Sequence, residues 1–437
     1  MDTEKLKQKI LDLAIRGKLV PQDSNNESAE ELIKKIQEEK AKLVKEGKIK
    51  ASKEESIIFK GSDNCYYEKT TKRIIKVDEN FEFPKSWISM KLGNIGDWGA
   101  GATPNRSNKS YYENGDVLWV KTGELNDGYI FDSIEKITTK ALNECSLRNN
   151  NIGDVLIAMY GATIGKLGIA AVPLTTNQAC CACTPFSFIN NEYLFYYLMA
   201  IKPLLISKSY GGAQPNISKE KITNCFINFP KIDEQILIVN KIKELFKKIE
   251  TIDNEYNSII NLISATKRKV LEEIFGENSS YKSYYENEYF LGDLLPYEQP
   301  ALYIVKSTNY DDKYDTPVLT PGKSFILGYT NEKEGVYHVN NSKVIIFDDF
   351  TTASRIIDFD FKVKSSAMKI LKSSDETKFN IDYLFFLLQS LYVNNDTHKR
   401  YWISEFATKK VKVHTFEEQL KIVKNINEFY DILDSIL

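Results

Sequence analysis

Ile238, Ile242, Leu245, Ile249, Ile252, Tyr256, Ile259, Ile263, Thr266 and Val270 follow one another in steps of four and three, with no Pro or Gly between Asp233 and Phe275. Such spacing gathers these side chains on one seam of a helix, the pattern of a coiled-coil strand. At about 1.5 Å of rise per residue the helix would be on the order of 60 Å long. Gly276 and the polar run Glu277 to Ser283 are expected to end it.

The start of this pattern recurs at the C-terminus. Glu418-Gln419 followed by Ile422, Ile426, Phe429, Leu433 and Ile436 repeats Glu234-Gln235 followed by Ile238, Ile242, Leu245, Ile249 and Ile252, at one constant offset. At the other end, Leu6, Ile10 and Leu13 match Thr266, Val270 and Glu273 at a second constant offset, so the termini read as one helix cut in two. The segments between also correspond: Leu92-Gly93-Asn94-Ile95 with Leu291-Gly292-Asp293-Leu294, Val155-Leu156-Ile157 with Val344-Ile345-Ile346, and Glu192-Tyr193-Leu194-Phe195 with Asp382-Tyr383-Leu384-Phe385. Order-preserving similarity of this kind is the mark of internal duplication.

Short β-rich runs (Val117 to Lys121, Val155 to Tyr160, Gly168 to Val172; then Val344 to Phe347 and Ala367 to Leu371) accompany one helix in each half, Glu192 to Met199 and Asp382 to Leu391. The fold expected is mixed α/β: two small α/β domains separated by a long antiparallel coiled coil, duplicated with a pseudo-two-fold relation. The divisions are 1–20, an N-terminal scaffold helix; 21–80, a charged helical insertion and connector; 81–230, the first domain; 231–277, the central helix; 284–415, the second domain; and 416–437, the C-terminal helix. Within 21–80, Leu32, Ile36 and Leu43 suggest a surface helix over Ser28 to Gly47, and Lys48 to Asn80 reads as an exposed connector.

Composition narrows the function classes. With 437 residues, 42% hydrophobic and 27% charged, the chain is of the soluble globular kind. Met1 to Val20 has no continuous apolar run, so neither a signal peptide nor a membrane span is expected, and a cytoplasmic location follows. The six cysteines lack framework spacing and are expected to be reduced thiols. A formal net charge of −2 carries no global sign of nucleic-acid binding, so any such contact must be local.

Motifs for catalysis are absent. No Asn-Pro-Pro-aromatic or Asp-Pro-Pro-aromatic tetrapeptide exists to grip a flipped adenine, so no catalytic residue is assigned. Gly161-Ala-Thr-Ile-Gly165-Lys166 is one residue short of a phosphate loop and is followed by Leu167, which suits a tight turn. Gly99-Ala-Gly101 lacks the third glycine of a dinucleotide fingerprint and reads as a flexible loop. Cys180 and Cys183 have two-residue spacing, but no second pair follows, and buried thiols are expected rather than a metal site. What remains is recognition chemistry: Thr103, Asn105, Arg106, Lys109, Lys121, Lys166, Tyr210, Gln214 and Asn216 in the first half. In the second half stand Lys323, Tyr329, Arg355, Lys399, Arg400, Tyr401 and Lys409. Arg and Lys suit guanine edges and phosphates, Asn and Gln suit adenine.

The duplicated plan and several phrases resemble the specificity subunit of type I restriction-modification enzymes. The phrases are Leu11-Asp-Leu-Ala-Ile-Arg-Gly-Lys-Leu-Val-Pro21, Pro84-Lys-Ser-Trp87 leading to Leu92-Gly93, Gly153-Asp-Val-Leu-Ile-Ala-Met-Tyr-Gly-Ala-Thr-Ile-Gly165, Thr176-Asn177-Gln178, Gln214-Pro-Asn-Ile-Ser218 and the two Glu-Gln pairs. The resemblance implies that 81–230 and 284–415 are target-recognition domains, each reading one half of a bipartite site on double-stranded DNA. It implies two modification subunits, which use S-adenosylmethionine to methylate adenine, and two restriction subunits, which use ATP and magnesium, with no cofactor in this chain. The alternatives are a coiled-coil adaptor or a single-chain modification-restriction enzyme. Thr320 to Thr330 and Asp348-Asp-Phe-Thr-Thr352 have no match in the first half, so an asymmetric target is expected.

Overall fold

The computed structural model describes residues 2–21, 29–47, 56–60, 63, 65–70, 72–77, 82–84, 86–207, 216–276, 279, 285–320, 324–340, 342–391 and 400–437. They form two compact units, Met1–Asp253 and Asn254–Leu437.

The first unit opens with helices α1 (Thr3–Ile15) and α2 (Ala29–Lys45), then strands β1 (Ser56–Lys60), β2 (Tyr66–Thr70), β3 (Ile74–Val77), β4 (Ile88–Lys91), β5 (Gly96–Ala100), β6 (Val117–Val120), β7 (Gly128–Ile130) and β8 (Lys136–Ile137). Helix α3 (Thr139–Glu144) leads to β9 (Val155–Ala158), β10 (Leu167–Ala170), β11 (Thr175–Thr176) and β12 (Cys180–Pro185). Helices α4 (Asn191–Ala200), α5 (Lys202–Ser207) and α6 (Lys219–Thr223), strand β13 (Phe226–Phe229) and the long α7 (Ile232–Phe275) follow. The strands make three sheets, in the orders β13-β4-β1-β2-β3, β5-β12-β9-β10-β7 and β11-β6-β8.

Strand β12 lies between β5 and β9, so both its edges are paired. Cys181 and Cys183 enter the main core beside α4, while Cys180 and Ala182 enter a smaller core with Leu156 and Ala158. Because side chains alternate along a strand, Cys180 and Cys183 point to opposite faces and do not converge on one ion. Burial pushes the Cys180 and Cys181 thiols up to about 12. Among the described residues no group of three His, Cys, Asp or Glu side chains is arranged to hold a metal ion.

The connector expected at Lys48 to Asn80 is instead structured in its described part. Antiparallel pairs β1–β2 and β2–β3 form there, and β1 joins β4 through Ile58 and Ser89. Ile58 is buried, and α2 sends Leu32 and Ile36 into the main core. The insertion is therefore part of the first unit's body. Its strands are only four or five residues long, too short for period-two alternation to stand out in the sequence.

Asp2 caps α1, accepting the Lys5 N–H, and the helix packs against α4, with Gln8 Nε2 donating to the Ala200 carbonyl at 2.9 Å. Ile10, Leu11 and Ala14 share a core with Ile238, Ile242 and Ile249 of α7.

The second unit contains β14 (Tyr285–Phe290), α8 (Leu291–Leu294), β15 (Tyr297–Glu298), β16 (Thr316–Leu319), β17 (Ile326–Thr330), β18 (Val344–Asp348), β19 (Ser354–Ile357), β20 (Lys362–Val363), β21 (Met368–Leu371), α9 (Ile381–Ser390), β22 (Lys410–His414) and α10 (Phe416–Asp434). Its sheet orders are β14-β22, β15-β21-β18-β19 and β17-β16-β20. The plan of the first unit recurs: β14-β22 stands for β4-β13, and β15-β21-β18-β19 for β5-β12-β9-β10. In the small third sheet of each unit one strand has a parallel partner, β11 on β6 and β20 on β16, and an antiparallel one on its other side.

Helix α7 is 44 residues long and carries no Pro or Gly. Its last turns run antiparallel to α10: Phe275 lies against His414 just before α10, while Lys267 meets Tyr430 and Asp434 near the far end. Val270, Leu271, Ile274, Ile422 and Ile426 share that core. The seam is not continuously buried, however. Ile238, Ile242, Ile249, Ile263, Ile422 and Ile426 are buried, but Leu6, Ile252, Ile259, Phe429 and Ile436 are exposed. Apart from Ile263, the buried positions are those held in the core of a globular domain. The exposed ones continue the heptad along helix faces left open among the described residues.

Candidate nucleic-acid interface

The sequence-selected residues of the first half gather around the ends of β6 and β11. Parallel pairing sets Trp119 opposite Thr175 and Val120 opposite Thr176, and the Asn177 N–H then donates to the Val120 carbonyl at 3.1 Å. Lys121 and Asn177 thus leave the sheet side by side. The chain at Gly101 and Ala102 crosses close above: Gly101 N donates to the Cys180 carbonyl and Ala102 N to the Thr176 carbonyl, each at 3.0 Å. A Cβ at Gly101 would lie 2.1 Å from the Thr176 carbonyl oxygen, so only glycine permits this crossing. The segment is pinned, which corrects its reading as a flexible loop.

From this crossing the loop carries Thr103, Asn105, Arg106 and Lys109 outward, all exposed. Thr103 Oγ1 donates to Gln178 Oε1. Asn105 Oδ1 accepts from the N–H and hydroxyl of Ser107 at 3.1 and 2.9 Å, so this side chain shapes the turn. Two aromatic residues clamp the loop, since Trp119 Nε1 donates to the Ala102 carbonyl at 3.0 Å and the Tyr112 hydroxyl to the Pro104 carbonyl at 2.6 Å.

The Arg106 guanidinium lies over Tyr112 at 4.6 Å and over Trp119 at 4.8 Å, and it is bidentate to Glu135, with Nη2 3.1 Å from Oε2. Lys121 Nζ reaches the same carboxylate at 2.5 Å and sits over the Trp119 ring. The Arg106 hydrogen bond holds the Glu135 carboxyl below its ordinary range, helped by Lys121 and opposed by partial burial. Glu135 raises the Arg106 pKa in return.

Lys166 closes the β9–β10 hairpin, where Gly161 and Gly165 have φ of 67° and 74°; the stretch resembling a phosphate loop is a turn between strands. Asn216 bridges Tyr160, and the Met159 N–H donates to the Ala179 carbonyl at 2.8 Å, which brings this turn next to Gln178. Tyr210 and Gln214 lie outside the described residues.

The second unit repeats the framework with different side chains. Val318 and Leu319 pair parallel with Lys362 and Val363, and the Lys364 N–H donates to the Leu319 carbonyl at 2.8 Å. Lys364 therefore occupies the position of Asn177, and Thr320 that of Lys121. Lys364 is exposed, 6.0 Å from the Tyr310 ring centre, and was not among the residues selected from sequence. Its signal is topological, because only the strand pairing reveals it. Arg355 is exposed on β19 with its guanidinium over Phe325 at 4.7 Å. Tyr329 lies half-buried on β17 opposite Pro317.

Arg400 is exposed, but Tyr401 is wholly buried and has no surface to offer, a correction to its selection. The reason is local: Asp349 draws this segment inward. Its carbonyl accepts the Tyr401 N–H at 2.9 Å and its Oδ1 the Trp402 N–H at 2.8 Å, and its carboxylate lies 3.4 Å from the buried Lys369. Lys409 is half-buried, its carbonyl accepting the Leu291 N–H at 2.9 Å. Lys323 and Lys399 lie outside the described residues. Among the described residues no helix is long and apolar enough to cross a membrane.

Residues 84–261 match the family model described as the type I restriction modification DNA specificity domain. The type I restriction enzyme EcoR124I/EcoR124II specificity subunit of Escherichia coli is 47% identical over 147 residues, covering 33% of this chain and 36% of that relative. The MjaIX specificity subunit of Methanocaldococcus jannaschii is 28% identical over 305 residues, 68% of each chain. The alignment thus spans about a third of the first relative's length and about two thirds of the second's. A chain from a solved type I R-M system has the same fold, with a TM-score of 0.59 at 16% identity, covering 82% of this chain and 93% of that one. The type I restriction modification DNA specificity domain is thus matched in the first unit, and the strand plan of that unit is repeated in the second, so the chain is similar to the specificity subunits of type I restriction enzymes.

Proposed function

We propose that this chain reads an asymmetric, bipartite sequence on double-stranded DNA, one half-site per unit, and carries the subunits that act on it. The observation behind this reading is the shared strand framework with unlike chemistry at its ends: Lys121 and Asn177 in one unit, Thr320 and Lys364 in the other. A scaffold needing two copies of one contact would keep the side chains as well as the strands. The chain itself performs no bond-breaking step. Two modification subunits supply S-adenosylmethionine chemistry on adenine, and two restriction subunits supply ATP- and magnesium-dependent cleavage. The exposed heptad positions Ile252, Ile259, Phe429 and Ile436 suit docking of such partners.

Mapping methylated adenines in DNA from cells holding this chain and its modification subunit tests the reading. Replacing residues 284–415 with the corresponding domain of a relative should change one half-site and keep the other. Two unchanged or two changed half-sites would contradict it. An adaptor would retain no DNA even with modification subunits present, and a single-chain enzyme would transfer methyl groups alone.

A further inference from the structure

Glu135 is the one acidic side chain joined to both Arg106 and Lys121 among the described contacts, and its position demands an explanation beyond folding. An anion at a surface meant for DNA opposes the phosphates, yet this one takes two cations of the recognition loop. The Arg106, Lys121 and Glu135 side chains together carry a net single positive charge rather than two.

The aromatic residues show that the carboxylate is not needed merely to localise the cations. Tyr112 and Trp119 flank the Arg106 guanidinium, and Trp119 also underlies the Lys121 ammonium. Such ring contacts attract a cation without any carboxylate beside it. The loop backbone is fixed separately, by Trp119 Nε1 on the Ala102 carbonyl and by Gly101 and Ala102 on β12 and β11. What Glu135 adds is direction and neutralisation. By engaging both terminal nitrogens of the guanidinium it fixes the plane in which the remaining N–H groups point.

We propose that Glu135 is a specificity-determining residue, which withholds Arg106 and Lys121 from indiscriminate phosphate contacts and orients Arg106 for a base edge. This rests on the reading of the chain as a DNA-recognition subunit. Phosphate contacts raise affinity for every sequence, whereas a guanidinium offering a planar pair of donors selects guanine. A site that lowers the first and keeps the second gains discrimination at the expense of overall affinity.

The test uses the full chain assembled with its modification subunits, comparing wild type, Glu135→Gln and Glu135→Asp on cognate and unrelated duplexes over a range of salt. Glu135→Gln should bind unrelated DNA about tenfold more tightly, with a salt slope steeper by about 0.9 for each phosphate newly engaged. Its preference for cognate DNA should fall. Glu135→Asp, which keeps the charge, should keep the wild-type salt slope. A folded Glu135→Gln assembly with unaltered or weaker binding to unrelated DNA overturns the inference, as does an unaltered preference. Failure of the wild-type assembly to retain any duplex overturns the DNA reading itself, and this inference with it.

Discussion

The side-chain oxygen of Gln235 accepts the backbone N–H of Asn190 at 2.9 Å, and its amide nitrogen donates to the carbonyls of Phe188 and Pro230 at 2.9 and 2.8 Å. Gln419 repeats the arrangement in the second unit, accepting from Asn380 at 2.9 Å and donating to Lys378 and His414 at 3.0 and 2.9 Å. Asn190 and Asn380 in turn cap α4 and α9. One buried amide thus fastens the start of each scaffold helix to the start of each domain helix. Replacing either glutamine by Ala leaves one N–H and two carbonyls without this partner, at about 1–3 kcal/mol for each that stays buried and unpaired. Gln235→Ala should raise hydrogen exchange in α4, and Gln419→Ala in α9, each leaving the other unit unchanged. Equal exchange in both units for either variant would contradict the assignment.

The Glu-Gln pairs were legible in the sequence because they fall in phase with a heptad pattern, and so were the α7 boundaries, set by an uninterrupted run ending at Gly276. The strands of residues 56–77 were not, since Tyr66 to Thr70 presents two adjacent tyrosines and then charge, a pattern without period. Lys364 was hidden for another reason. A parallel pair joins residues far apart in the chain, and nothing local to Lys364 announces that it stands beside the end of β16. Tyr401 misled because its basic neighbours suggest surface, whereas the buried Asp349 that draws it inward lies far back in the sequence.

Asp349 and Lys369 form a buried ion pair at 3.4 Å, each side chain only 1% exposed. Lys369→Met alone leaves a buried carboxylate without its cation and should destabilise the second unit by about 3–5 kcal/mol. Adding Asp349→Asn removes the stranded charge while leaving an oxygen for the Trp402 N–H, so the double variant should recover much of that loss. Urea unfolding of the single and double variants checks this. A double variant no more stable than Lys369→Met would show that the charge is not the source of the cost.

Asp154 has its pKa raised by burial, against the opposing hydrogen bonds of Thr184 and Asn151 and the charge of Arg148. Its folded pKa therefore lies above the unfolded value, so the folded state binds this proton more tightly. The corresponding stability is present below the ordinary carboxylate range and is lost as pH rises through the folded pKa. Both hydrogen bonds fall on one oxygen, at 2.9 Å from Thr184 Oγ1 and 3.1 Å from Asn151 N, so the amide oxygen of Asn can accept both. Asp154→Asn should leave stability at neutral pH unchanged or higher and flatten this part of the pH profile. Thermal melts across the acid range measure it, and a steep loss at neutral pH would reverse the assigned sign.

Lys364 tests whether equivalent positions on the two frameworks do equivalent work. The Lys364 N–H donates to the Leu319 carbonyl as Asn177 does to that of Val120, and the Lys364 side chain is exposed where the strands end. Lys364→Ala removes a surface cation without disturbing that backbone bond, so folding should change by less than about 0.5 kcal/mol. If the ends of β16 and β20 face the duplex, affinity of the assembled complex should fall and its salt slope should shrink by about 0.9, the share of one phosphate. Arg355→Ala is the contrasting variant. Its guanidinium is stacked on Phe325 and held as a planar donor, so its removal should relax selectivity at one base of the second half-site more than it alters the salt slope. Neither change should touch the bases read by the first unit. If Lys364→Ala leaves the salt slope intact, the framework correspondence is one of folding alone, and the second unit reads DNA from some other part of its surface.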